Sequence, residues 1–568
     1  MKKIYIVITA FIVCTGSYAQ TSDSLLRRQM ELERDFNPTL LDADKINSLP
    51  ALQQPVVQKA NTNYSTWAGR TTPPLEIALP RPGNIMTEIP YSRKRGYLSF
   101  NAGNYANMDG IFGYRLVENE ANNLTFSFLH NSTNGDIDYV QEVKPSSNKA
   151  KFMDNEGRLG YRHKADVLTL NMDLSYLHSL FNYYGNRFGN TPLYDDENQR
   201  LSILNAKIGV ASNKSDVWNY RGYIHFNNFS TKFGESPAAE GIKGNDVNVM
   251  VGLDKPFGVS DSKLGVDGRL FSTFYNGDLS NYALINAAPY VAFGGNNTYA
   301  RLGADLLIMT SGDTEFRVAP HVQLKWAVTG HSSLYANILG GFSNNTFLEM
   351  IQESRYIHPY GNVTPSYSII DIEAGARIGE VSGFRFDIFG GFKKTEDEHF
   401  LILNGQDVIG EDAPEVYSEV LKPVYGDLSH AHIGGMIQAN IWAPLDISLR
   451  LKKNFYSADY ISINGIEIDN PKAFNKPGIE VDLRGAVDLN ANLKLTANYY
   501  FAGERWSYYG KNVKMDNIND LNAGAIYQIN DAFSVNLRAN NLLAQKYDIW
   551  YGYPAQGLNI SGGFSFRF

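Results

Sequence analysis

The sequence predicts an all-β fold, a transmembrane β-barrel of about 22 antiparallel strands, reached through an irregular proline-rich N-terminal segment. Three observations predict it. Two-residue alternation of apolar and polar side chains runs from Gly96 to the last residue. The gaps between alternating segments are short and long in turn. The composition carries 35 Tyr, 31 Phe and 50 Gly, yet only 43 % of residues are apolar and 19 % charged. Tyr, Phe and Gly at that level belong to strands and turns, not to helical domains.

The alternation is clearest at Ile479–Leu489, where Ile479, Val481, Leu483, Val487 and Leu489 share one face. Glu480, Asp482, Arg484 and Asp488 share the other. Leu493, Leu495, Ala497, Tyr499 and Phe501 repeat the pattern, as do Ile447, Leu449 and Leu451 against Ser448, Arg450 and Lys452. A strand with one wet and one apolar face reads this way. Short gaps such as Glu118–Asn123, His163–Asp166, Thr329–Ser332, Asn490–Asn492 and Asn530–Asp531 alternate with long ones. The long gaps include 132–155, 179–199, 230–243, 343–365, 395–425, 456–476, 502–517 and 542–557, with shorter ones near Asn276 and Ser311. Short turns on one rim and long loops on the other mark a barrel in a membrane. A soluble propeller or sandwich has no such two-rim rhythm, and it needs its apolar faces to meet each other. Aromatic pairs near strand ends, Tyr183-Tyr184 and Tyr499-Tyr500 among them, fit interfacial girdles.

Residues 1–19 read as a secretory leader: Lys2 and Lys3, an apolar run from Ile4 to Val13, and Ser17-Tyr18-Ala19 before the cut. Cys14, the only cysteine, lies inside that run, so the exported chain is expected to hold no thiol, disulfide or thiolate metal site. Past residue 20 no apolar run reaches the roughly 18 residues that a spanning helix needs. Residues 20–95 contain a short helix-like stretch, Ser24–Arg34, and then eight of the chain's 22 prolines. Proline at that density blocks ladders and helices, so an extended segment is expected there. The barrel is expected over 96–568. A net charge of −8 gives no reason to expect nucleic acid as a partner.

Little catalytic chemistry is visible. His430 and His432 fall on one strand face, but no third ligand stands at a diagnostic spacing, so neither a metal nor a cofactor is predicted. Glu396, Asp397, Glu398 and His399 lack the ligand spacing of a calcium loop and read as a charged outer loop. Phosphate-binding glycine loops, a nucleophile elbow and HExxH are missing, so no enzyme is predicted. The lumen-facing polar side chains are expected to include Arg450, Lys452, Glu480, Asp482 and Arg484. Outer-loop aromatics are expected at Trp506, Tyr508, Tyr509, Trp550, Tyr551 and Tyr553, as girdle residues, sugar platforms or partner contacts.

The last strand ends Phe564-Ser-Phe566-Arg-Phe568, with Ile560 in the same phase. A terminal aromatic behind apolar residues at every second position resembles the sorting signal read by the outer-membrane assembly machinery. Residues 532–568 resemble the last hairpin of TonB-dependent receptors, in a Bacteroidetes-like style. Asn540-Asn541-Leu542-Leu543, Lys546-Tyr547, Trp550-Tyr551-Gly552-Tyr553-Pro554 and the Phe-Arg-Phe end carry the resemblance. It implies a 22-stranded barrel in a bacterial outer membrane, surrounded by lipid. Family members also carry a globular plug and an energy-coupling box; residues 20–95 show neither, Pro55-Val56-Val57 being the nearest imitation of the box. Counting strands places residues 20–95 on the periplasmic side, where they either occlude the lumen or tether a partner. Two functions follow as expectations: passage of a solute limited by that segment, or a non-transporting scaffold in a complex with a periplasmic or surface protein.

Overall fold

The computed structural model describes residues 94–568, apart from 142–144, 189–193, 195–196, 214–217, 259–261, 278, 296, 360–362, 380–382, 404–419, 441–443, 464–465 and 469. The leader and the expectations placed on residues 20–93 lie outside the described residues.

The strands form one antiparallel sheet of 22, each paired with its sequence neighbour and closed on itself. Closure joins the first strand, Gly96–Gly103, to the last, Asn559–Arg567, with Leu98 opposite Phe566 and Phe100 opposite Phe564. The Gly96 and Phe568 backbones exchange hydrogen bonds of 2.7 and 3.0 Å, so both ends of the barrel lie on one rim. That is also the rim of the short turns. Gly96 carries no Cβ for a local reason: one would lie 2.3 Å from the Phe568 ring.

Successive residues point to opposite faces of each strand. On the eleventh strand, Thr298–Ser311, Leu302 and Leu306 are exposed while Arg301 and Asp305 are buried. On the twelfth, Asp313–Thr329, Phe316 and Val318 are exposed and His321 and Gln323 buried. The exposed face is apolar and the covered face polar, the reverse of a soluble sheet and the arrangement a lipid exterior requires. Several covered charges are paired with one another, which offsets the cost of leaving water. Arg301 meets Asp267 at 2.6 Å, Lys263 meets Asp254 at 3.1 Å, and Arg385 meets Asp387 at 2.6 Å.

The strand count and the rim of short connections agree with the expectation from sequence; the long gaps do not all survive. Residues 132–155 were expected to form one loop. Strands instead reach Asp138 and restart at Ser147, with Asn134 opposite Lys151 and Asp136 opposite Lys149. The gap 395–425 shrinks likewise, because ladder pairs continue to Leu403 opposite Leu421. These hairpins rise beyond the span that about 9–11 residues cover in a bilayer. Their apolar side chains pack into the loop clusters, Ile137, Ala150, Leu401 and Leu403 in one and Phe400 and Ile402 in another, so lipid no longer imposes the alternation that marks a strand in sequence.

Candidate functional site at the long-loop mouth

The main apolar cluster lies at the long-loop rim, not in the middle of the barrel. It gathers Phe181, Tyr183, Tyr184, Tyr194, Phe229, Tyr275, Phe347, Ile357, Leu403, Leu421 and Tyr553, all buried. These residues come from six different hairpins, so the loops share one core.

Its organiser is the connection 344–365, between the thirteenth strand, Ser332–Ser343, and the fourteenth, Ser366–Ile378. The connection opens with a short helix, Phe347–Glu353. Thr346 caps it: the Thr346 hydroxyl accepts the Glu349 N–H at 3.0 Å, and the Glu349 carboxylate accepts the Thr346 N–H at 3.1 Å. This reciprocal box holds the first turn. The helix buries Phe347, Leu348, Met350 and Ile351, with the Phe347 ring 5.8 Å from that of Phe229.

Beyond the helix the chain reaches the far wall. Arg355 forks onto Asp154 of the fourth strand, Ser147–Lys164, with contacts of 2.8 and 3.2 Å. The two residues are 201 positions apart, and the strands flanking Arg355 lie nearly opposite that of Asp154 in the ring of 22. Arg355 also stands over the Phe152 ring at 4.6 Å. Tyr356 stacks on Tyr553 at 4.2 Å and meets Tyr184 edge-on at 5.3 Å. Tyr184 donates its hydroxyl to the Pro554 carbonyl at 2.9 Å. A Cβ on Gly185 would lie 2.6 Å from the Tyr553 ring, so that approach admits glycine. His358 faces the Glu235 carbonyl at 3.0 Å, and its backbone N–H donates to the Leu421 carbonyl at 2.8 Å.

Ionisable groups brace the cluster. Burial disfavours charge on Glu353, but the His399 ring 2.7 Å away outweighs it and holds the carboxyl below its usual value. Burial likewise pushes the Asp548 carboxyl up to about 6, although Gln141 and the Gly552 N–H donate to it at 2.5 and 2.9 Å.

The expected outer-loop aromatics divide between two clusters. Tyr509, Trp550 and Tyr551 pack on the main one, and Tyr553 is fully buried inside it. Trp506 and Tyr508 pack instead against the cluster of Phe400, Ile402, Ile461 and Phe474. Arg450 and Lys452 stand in register with Asp482 and Glu480. Arg484 meets Asp482 at 2.8 Å, and Leu451 and Leu483 are exposed on the opposite face. Phe564 packs between Phe100 and Phe533, at 6.4 and 5.9 Å, and Phe566 stacks on Phe568 at 5.5 Å.

His430 contacts the Asn454 amide oxygen at 2.9 Å, and His432 lies 3.8 Å from Glu373. Among the described residues no three His, Cys, Asp or Glu side chains are grouped to hold a metal. Glu396, Glu398 and His399 pair with Arg317, Lys476 and Glu353 respectively. Sequence reasoning missed the helix, Arg355 and Tyr356. The box Thr346-Phe-Leu-Glu349 was the available signal for the helix.

No family model matches the sequence, and neither does any curated protein. Solved structures do match the fold. A variant of the ferric enterobactin receptor of Pseudomonas aeruginosa aligns with a TM-score of 0.62 at 11 % identity, over 84 % of this chain and 81 % of that one. The siderophore receptor PirA of Acinetobacter baumannii gives 0.62 at 11 %, over 84 % and 81 %. The ferric-catecholate import receptor Fiu of E. coli gives 0.59 at 10 %, over 84 % and 82 %. All three neighbours are receptors by name. The chain has the 22-strand barrel fold of the TonB-dependent receptors of the bacterial outer membrane.

Proposed function

We propose that this barrel passes a solute across the outer membrane through a lumen with two barriers in series. The long loops form the surface barrier, and residues 20–95 limit the lumen from the periplasmic side. The observation that carries the reading is the ion pair between Arg355 and Asp154, which ties a loop to the far wall. A wall of 22 strands encloses a wide lumen, and something must close it. Arg450, Lys452, Glu480, Asp482 and Arg484 line that lumen in this reading, giving a hydrated path. Phe564, Phe566 and Phe568 present the C-terminal strand to the assembly machinery, and lipid surrounds the apolar face.

The solute classes in the neighbours' names, ferric siderophores, offer a starting set for uptake assays. A second reading is a closed scaffold with a protein partner, favoured by the full burial of Tyr553 in the loop cluster. Planar-bilayer conductance separates the two. The full chain is expected to be silent, and deletion of residues 20–95 to give brief openings. The deletion combined with Arg355→Ala and Tyr553→Ala should conduct steadily. Silence from that combined variant, correctly folded and inserted, removes the transport reading and leaves the scaffold.

A further inference from the structure

The ladder between the twelfth and thirteenth strands stops halfway. Pairing runs from Thr329 opposite Ser332 to Val322 opposite Ile338, and among the described residues it goes no further. Above that point the twelfth strand stays fully paired with the eleventh, out to Asp313 opposite Ser311. The thirteenth turns to the fourteenth instead, through a bulge between Leu339 and Gly341. Gly341 sits at φ 123°, a conformation that favours glycine, and it bends the strand away. Two neighbouring strands therefore run side by side in the upper wall with no backbone ladder between them.

A short ladder elsewhere is compensated. The strand Ile518–Gln528 pairs with Phe533–Asn540 only from Ala523 onward. There Leu542 donates to the Leu521 carbonyl at 2.8 Å, Asn541 to the Asn522 side chain at 3.0 Å, and Asn519 to Gln545 at 2.9 Å. At the twelfth strand a side chain takes the ladder's place. Tyr367 of the fourteenth strand donates its hydroxyl to the Val318 carbonyl at 3.0 Å. Its ring packs with Leu307, Ala319 and Phe342 in a small cluster of its own. Arg317 stands 5.1 Å over the same ring and pairs with Glu396 at 3.3 Å.

The open edge has the marks of a managed one. Residues on a strand turn their backbone groups alternately to either side, so Thr314 and Phe316 face the seam as Val318 does. Pro320, next in that phase, has no N–H to leave unpaired. Phe316 is 75 % exposed and Val318 64 %. Gly312 alone joins the eleventh strand to the twelfth, the shortest connection on that rim. An unladdered edge is costly in hydrocarbon, where no water replaces the missing partner. A wall closed by one ring, one hydroxyl and one ion pair separates more easily than one closed by a row of backbone bonds.

We propose that the barrel wall parts at this seam, with Tyr367 as the latch of a lateral opening between the lumen and the bilayer. Leu307, Ala319 and Phe342 line the opening, which suits the acyl chain of an amphiphile rather than a hydrated solute. The opening does not depend on the conductance reading above, and its test does not measure conductance.

A thiol at Ala319→Cys reports on the seam, because the mature chain is expected to be free of other cysteines. The protein is placed in phosphatidylcholine liposomes and treated with a lipid-soluble maleimide. Adding Tyr367→Ala is expected to raise the labelling rate about tenfold, the loss of one hydrogen bond and one packed ring. Tyr367→Phe should fall between the two, and a charged water-soluble maleimide should show no rise. Ala292→Cys, on the tenth strand, Tyr282–Gly294, and laddered on both sides to Arg301 and Lys263, is the control. An unchanged rate with Tyr367→Ala, an equal rise with the water-soluble reagent, or an equal rise at Ala292→Cys overturns the proposal.

Discussion

Arg355 reaches across the long-loop mouth to Asp154, 2.8 Å away on a strand nearly opposite the two that its connection joins. Both side chains are mostly covered, so each would be left as a poorly solvated charge without the other. Arg355→Ala is expected to loosen the loop cluster by about 2 kcal/mol. Asp154→Ala should cost a similar amount, and the double variant less than the two together. Limited proteolysis at the connection 344–365 of each variant, in intact membranes, gives the comparison. Strict additivity would mean that the pair does not act as a unit.

Tyr553 and Gly185 make a second such unit. Tyr553→Ala removes a fully buried ring, at about 3–5 kcal/mol, and should release the stack with Tyr356. Gly185→Ala drives a methyl group into the same ring and should mimic it. Thermal unfolding followed by near-ultraviolet circular dichroism should show both losses, and little further loss in the double variant.

The capping box permits a smaller test. Thr346→Ala should cost about 1 kcal/mol of local stability in the connection 344–365, and Thr346→Ser almost none. Hydrogen exchange of the amides in Phe347–Glu353 reads that difference directly. Equal protection in both variants would deny the box its role.

The pH response follows from Asp548. Its folded value of about 6 lies above the ordinary carboxyl value of 3.8, so the folded loop binds the proton more tightly than the unfolded one. The contribution is fully present below about pH 4 and is lost as pH rises through 6. Protection of the amides around Asp548–Trp550, corrected for intrinsic exchange, should fall by roughly 2 kcal/mol over that window. Asp548→Asn should abolish the slope.

The periodicity of Ile479–Asp488 and the short gaps on one rim made the barrel legible, because a bilayer forces strict alternation on every strand that crosses it. Above the bilayer that force disappears. Asn134, Asp136, Lys149 and Lys151 sit in a regular hairpin whose other face, with Ile137 and Ala150, joins the loop cluster and not the lipid. The mouth was less legible still. Phe181, Tyr183 and Tyr184 read as girdle or loop residues, and nothing local says that they meet Tyr356 and Tyr553. The link from Arg355 to Asp154 spans 201 residues and depends on ring closure, which no sequence window contains. Only the helix had a local signature, Thr346 with Glu349 three positions on.

The central claim is that the barrel's own loops close its mouth, and one cross-linking measurement tests it most directly. Asp154→Cys and Arg355→Cys are introduced together, and whole cells without added solute are treated with a short bifunctional thiol reagent. The account predicts rapid intramolecular cross-linking, seen as a mobility shift that neither single variant gives. Two thiols that react separately but never join would show the connection standing away from the far wall, and would contradict it.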